Sequence, residues 1–198
     1  MYNVGRMYKH GNGVRRNATK AMHWLLKAGE LGNADAQYQL GCIYARGDDL
    51  VPPRHTTGQD TTPTSRLTSH LAQERDDAQA IQWWQKAVAA DHAKAQVKLG
   101  LAYAHGRGVE RSLEQAFHWH TKAAEQGDAA AQFYCGLALQ LGEGVAPDPA
   151  RARERYEQAA AYGIVQACFN LGGMLPPPLP THAVCAMCAA LTRCPSLQ

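Results

Sequence analysis

Five glycines, Gly5, Gly41, Gly100, Gly136 and Gly172, stand 36, 59, 36 and 36 residues apart, and 59 is one period of 36 plus 23. A fixed period of this length means stacked copies of one small supersecondary unit, each unable to bury its apolar face alone and so packed on its neighbours. Counted from each glycine, alanine returns at offset −5 (Ala36, Ala95, Ala131, Ala167), at +16 (Ala21, Ala80, Ala116, Ala152) and at +23 (Ala28, Ala87, Ala123, Ala159), once residues 51–73 are skipped in the second unit. Aromatic residues keep the same count. Tyr8, Tyr44 and Tyr103 fall at +3 and Trp24, Trp83 and Trp119 at +19, where the fourth unit has Arg155 followed by Tyr156.

Each unit reads as two helices. Ala34, Ala36, Leu40 and Tyr44, like Ala93, Ala95, Leu99 and Tyr103, have helical spacing, and the run ends at glycines such as Gly47, Gly106 and Gly142 that permit a left-handed turn. A second helix runs through Ala116, Trp119, Lys122 and Ala123 to Gly127; Gly32 and Gly163 close its equivalents, and Asp91 takes that place in the second unit. Glycine inside a helix costs about 1 kcal/mol against alanine. Its return in every unit therefore predicts close contact between helices, with the recurrent Trp and Tyr filling the remaining space. The expected fold is all-α, a right-handed α-α superhelix (solenoid) of about four helix-pair repeats over residues 1–175.

The string AKAQVKLGLAYAHGRGV from Ala93 to Val109, followed by AFHWHTKAAEQGDAAAQ from Ala116 to Gln132, resembles the Sel-1-like repeat, a relative of the tetratricopeptide repeat. The resemblance covers about residues 1–175 and rests on glycine, alanine and aromatic positions that agree in consecutive units. It implies an adaptor or scaffold that binds proteins, a bacterial source, and no enzymatic activity. Residues 51–73 hold three prolines among many threonines and read as a disordered insertion loop. Lengthening a turn of roughly 5 residues to 28 costs only about 1.5 kcal/mol of closure entropy, which an array can carry. Residues 176–198 form a Pro-rich, Cys-containing irregular tail, because no helix continues through Pro176, Pro177, Pro178 and Pro180. Both ends cut through a unit, as expected of a fragment of a longer array, a misassigned start or a frame-shifted tail. A genuine start at Met1 would imply a cytoplasmic protein, and a signal peptide upstream of it a periplasmic or secreted one.

Charge and motifs exclude several functions. Lys and Arg number 20 against 17 Asp and Glu, too balanced overall to argue for nucleic acid, and no apolar run is long enough to insert in a membrane. No serine begins an S-x-x-K, the motif of penicillin-recognising enzymes, and this weighs against the lactam hydrolysis associated with some members of the resembled family. His118 and His120 lie roughly 200° apart on a helix and cannot share a metal. The G-x-G at Gly106 and Gly108 returns at Gly11 and Gly142, which makes it a structural turn rather than a nucleotide loop. Cys42, Cys135 and Cys168 occupy different offsets and read as small apolar residues. His182, Cys185, Cys188 and Cys194 have spacing compatible with zinc but sit in an unsupported tail, so no metal or other cofactor is expected.

Positions that vary between units are free to specialise. Offsets −6, −2, +1 and +5 vary, and their spacing puts them on one stripe of the first helix. By analogy with helix-pair superhelices, these stripes line the concave side and bind a protein or peptide. The expected contacts are Arg6 and His10; Gln39 and Arg46, beside Asp35 and Cys42; Lys94, Lys98, Leu101 and His105; and Tyr134 and Leu137. Tyr134 is the expected anchor, in a ridge grading from basic in the third unit to apolar in the fourth. The competing expectation is a lactam hydrolase or metal-dependent enzyme, or a fragment of a longer array without separate function.

Overall fold

The computed structural model describes residues 1–47 and 75–174; the insertion at 51–73 and the tail at 176–198, with its His and Cys cluster, lie outside the described residues. Among those described, the regular elements are helices without strands. They are α1 (Tyr2–His10), α2 (Ala18–Glu30), α3 (Ala34–Arg46), α4 (Asp77–Ala89), α5 (Ala93–His105), α6 (Leu113–Glu125), α7 (Ala129–Leu141), α8 (Pro149–Ala161) and α9 (Val165–Met174). Odd-numbered helices from α1 to α5 and then α7 and α9 are the first helices of their units, and α2, α4, α6 and α8 are the second. The fold class is the all-α, helix-pair solenoid.

Capping residues set the helix boundaries. Asn17, Asp76, Ser112 and Asp148 each accept a hydrogen bond from the backbone N–H three residues on, opening α2, α4, α6 and α8. Each of these four also donates its own backbone N–H, at 2.9–3.0 Å, to the carbonyl at offset +3 of the preceding helix: Tyr8, Tyr44, Tyr103 and Leu139. This bond pins the start of the second helix to the end of the first. Between units the chain turns through a left-handed residue, Gly32, Gly127 or Gly163 at φ 83–84°, and Asp91 takes the same turn at φ 57°. Aspartate tolerates that region better than most side chains, at a cost of about 1 kcal/mol.

The backbone packs as two compact units, described separately: Met1–Ala95 with Gly106–Glu110, and Gln96–His105 with the residues from Arg111 onward. In the first, α1 packs on α2, α2 on α3 and α3 on α4, around Ala21, Leu25, Ala36, Leu40, Ile43, Ala80 and Ala87, all fully buried. In the second, α6, α7, α8 and α9 pack in chain order. One core there joins Val97, Ala123, Ala124, Ala131 and Cys135, and another joins Leu139, Ala152, Tyr156, Ala159, Ala160 and Ala167.

Four of the five glycines that define the period are close-approach points, and the residue that meets them stands at +20 rather than at the tryptophan offset. A methyl placed on Gly5 would lie 2.9 Å from Leu25 Cγ, on Gly100 2.6 Å from His120 Cε1, and on Gly136 2.7 Å from Tyr156 Cδ1; on Gly41 it would strike the Trp84 indole. Trp24, Trp83 and Trp119 at +19 are only half-buried. Each lies under the ammonium of the lysine three residues later, Lys27, Lys86 or Lys122, with Lys86 4.1 Å from its ring centroid. The tryptophans thus flank the helix contact instead of filling it.

A second recurring element is a buried glutamine at offset −4. Gln37 Nε2 donates to the Gly29 carbonyl at 2.9 Å and Gln132 Nε2 to the Ala124 carbonyl at 2.7 Å, each tying a first helix to the second helix before it. Gln96 is equally buried and accepts from Gln126 Nε2 at 3.0 Å. Arg155, in the tryptophan place of the fourth unit, donates to Gln132 Oε1 at 2.9 Å, whereas Gln37 Oε1 is buried without a partner. Arginine in that place supplies the donor that Trp83 does not.

Candidate interaction surface

In the first compact unit, three first helices converge on one cleft of about 460 Å³. It is lined by Tyr2, Arg6 and His10 from α1, Asp35, Tyr38 and Gln39 from α3, and His92, Ala93 and Lys94 at the start of α5. The structure thereby brings together four of the residues expected from the stripes: Arg6, His10, Gln39 and Lys94. Gln39 is held from the side by Lys9, whose Nζ donates to its Oε1 at 3.1 Å. Arg6 sits 5.8 Å from the centroid of the Tyr2 ring. Burial, reinforced by the nearby Asp35 carboxylate, pushes the Tyr2 phenol above its usual range.

His92 organises the far wall. Its Nδ1 accepts from the Ala95 N–H at 3.2 Å, so the imidazole takes the capping role that Asn33 and Asp128 play in the neighbouring units. With Nδ1 occupied as an acceptor, a neutral ring carries its proton on Nε2, which donates to Asp35 Oδ1 at 3.2 Å. Tyr38 stacks on the ring at a centroid distance of 5.0 Å. Neither Tyr38 nor His92 was expected from the sequence. The signal for His92 was its register, since it stands eight residues before the unit glycine, where Asn33 and Asp128 stand.

The remaining expected residues divide differently. Arg46 is exposed at the C-terminal end of α3 and does not line the cleft, and Cys42, on the same expected stripe, is buried at 5% exposure. In the second compact unit, Lys98 is half-buried on α5 and His105 is exposed at its end, while Leu101 and Tyr134 pack against the core of Val97, Ala123 and Cys135. Leu137 is half-buried on α7. Tyr134 stacks on His120, with centroids 4.9 Å apart, and the histidine ring lies between it and Gly100. Burial drives the His120 pKa down to about 4, opposed in part by Asp128, and leaves a neutral ring whose Nδ1 has no hydrogen-bond partner.

His118 is exposed and His120 buried, on opposite sides of Trp119, and among the described residues no group of three or more His, Cys, Asp or Glu side chains is placed to hold a metal ion. Cys42 and Cys135 are buried free thiols, with burial pushing the Cys135 thiol up, and Cys168 is partly exposed. No helix among the described residues is long and apolar enough to cross a membrane.

The Sel1 repeat pattern matches residues 1–33, 34–53, 70–92, 93–128 and 129–163. Among curated proteins the chain is similar to the ERAD-associated E3 ubiquitin-protein ligase component HRD3A of Arabidopsis thaliana, 50% identical over 48 residues that cover 24% of this chain. It is also similar to the chitin synthase regulator SKT5 of Saccharomyces cerevisiae, 30% identical over 137 residues and 57% of this chain. These alignments span only 7% and 19% of the two relatives. Among solved structures, c5321, a protective antigen present in uropathogenic Escherichia coli strains and displaying an SLR fold, superposes with a TM-score of 0.73 at 33% identity, over 87% of this chain and 32% of that one. Helix pairs closed on a mid-helix glycine, repeated through four units and matched along most of their length, place this chain in the Sel1 repeat family.

Proposed function

We propose that this chain is a non-enzymatic scaffold or adaptor that holds a protein or peptide against the varied face of its first helices. Sel1 repeat proteins generally mediate protein–protein interaction. The observation that carries the reading for this chain is the convergence of Arg6, His10, Gln39 and Lys94, from three successive first helices, on one cleft. The varied positions Arg6 and Lys94 supply cations and Gln39 an amide, beside the Tyr2 and Tyr38 rings and with Asp35 engaged by His92, a lining that suits an extended peptide bearing carboxylates. In the second unit the same stripe offers Lys98 and His105 beside the apolar Leu101, Tyr134 and Leu137, so the face runs from basic to apolar.

The test is a pull-down from the source organism comparing the parent with Lys98→Glu and Tyr134→Ala, each first checked for parental helicity by circular dichroism. Named partners retained by the parent and lost by both variants are the expected result. Unchanged capture by folded variants, or turnover of a chromogenic lactam by the purified chain, would overturn the proposal.

A further inference from the structure

From Met1 to Gly29 the chain carries Arg6, Lys9, Arg15, Arg16, Lys20 and Lys27 and no Asp or Glu, the first carboxylate being Glu30. The other 14 Lys and Arg face all 17 acidic residues, so the near-balance of the whole chain hides a one-signed stretch over residues 1–29. Arg15, Arg16 and Lys20 are exposed and line, with Tyr8, Val14 and Asn17, a second cleft of about 600 Å³ where α1 hands over to α2. These cations do not ride on a free arm. Asn17 caps α2 by accepting from the Lys20 N–H at 2.9 Å and donates its own N–H to the Tyr8 carbonyl at 3.0 Å, while Gly11 donates to Met7 at 2.8 Å. Lys20 Nζ rests 5.5 Å from the centroid of the Tyr8 ring.

We propose that this cleft docks an acidic segment of a partner protein, its carboxylates received by Arg15, Arg16 and Lys20, on a surface separate from the first-helix stripes. The proposal rests on the reading that the array binds proteins, and adds where and with what charge. Three cations around one concave site, within a 29-residue stretch that holds no Asp or Glu, create a field that attracts anions and repels basic partners. A nucleic acid suits the cleft less well. Tyr8 is its one aromatic residue, half-buried with Lys20 over its ring, and a single shielded ring is a poor platform for successive bases. An anionic bilayer suits it less well too, because Val14 is the largest apolar side chain between Gly11 and Lys20 and offers little to insert.

The experiment measures fluorescence anisotropy of a labelled oligoglutamate peptide with the full chain and with Arg15→Glu, Arg16→Glu and Lys20→Glu, singly and together. Arg151→Glu, exposed at the start of α8, makes the same change in net charge elsewhere. Expected are binding that weakens with salt, a loss of at least about tenfold in the triple variant, and little change in Arg151→Glu. Should the triple variant lose helicity, carbodiimide coupling of the peptide to the parent, mapped by mass spectrometry, is expected at Lys20. Equal losses in Arg15→Glu and Arg151→Glu, coupling elsewhere, or tighter binding of a single-stranded oligonucleotide or of anionic vesicles would overturn the proposal. Discrimination between Arg15→Glu and Arg151→Glu together with unchanged capture by Lys98→Glu would sink the first-helix reading alone.

Discussion

Substituting Gly136 by alanine sets two opposed effects against each other, and the structure decides the sign. Alanine gains about 1 kcal/mol of helix propensity over glycine in the middle of α7. Its methyl, however, would lie 2.7 and 2.8 Å from Cδ1 and Cε1 of Tyr156, well inside contact distance. That ring has no easy retreat, being fully buried, with its hydroxyl donating to Gln140 Oε1 at 2.7 Å. Overpacking of this kind costs about 1–3 kcal/mol, towards the upper end for a ring with no retreat, so Gly136→Ala is expected to destabilise by about 1–2 kcal/mol net. The decisive measurement repeats the substitution after Tyr156→Ala, which alone costs about 3–5 kcal/mol but empties the space opposite the glycine. In that background Gly136→Ala is expected to stabilise by about 0.5–1 kcal/mol, a coupling of about 2 kcal/mol in a double-mutant cycle read by urea denaturation followed by circular dichroism. If Gly136→Ala stabilises the parent, or costs the same in both backgrounds, the glycine is not there to admit the ring and the account of the 36-residue period fails.

Two further outcomes follow from buried polar groups. His120 is held neutral by burial, with a pKa of about 4 against 6.5 when exposed, so the unfolded chain binds the extra proton between those values. Its contribution is therefore intact above pH 6.5 and is lost as pH falls towards 4, by up to about 3 kcal/mol. His120→Tyr, which copies Tyr156, should remove that part of the acid sensitivity, and a variant with the parental pH dependence of its urea midpoint would contradict the assignment. Gln132→Leu should cost about 1–3 kcal/mol, because it removes two hydrogen bonds, one to the Ala124 carbonyl and one from Arg155, and should cost more than Gln37→Leu, whose Oε1 has no partner to lose. Equal costs in thermal unfolding would show that the Arg155 bond contributes nothing.

The helix pairs, their turns and their period were legible because they rest on residue types that repeat: glycine where helices touch, alanine beside it, and glycine again where the chain turns. The contact partner at +20 was not legible, since Leu25, Trp84, His120 and Tyr156 are four different residue types. Only the glycine side of each contact must be one residue type, because the absence of a side chain is the requirement; the facing residue need only fill the volume. The tryptophans at +19 repeat for a different reason, a lysine one helical turn on, and repetition alone did not tell a core residue from one shielded by a neighbour. Gln37, Gln96 and Gln132 recur in register too, yet a polar side chain reads as solvated until a backbone carbonyl is found within reach. The candidate surface divides along the same line. Arg6, His10, Gln39 and Lys94, singled out by their variation, line one cleft, but Cys42 varies equally and is buried, because one face of a first helix meets both solvent and the following helix. Variation thus marks freedom from the repeat, and only the packing of each helix on its neighbours converts that freedom into a surface that another molecule can reach.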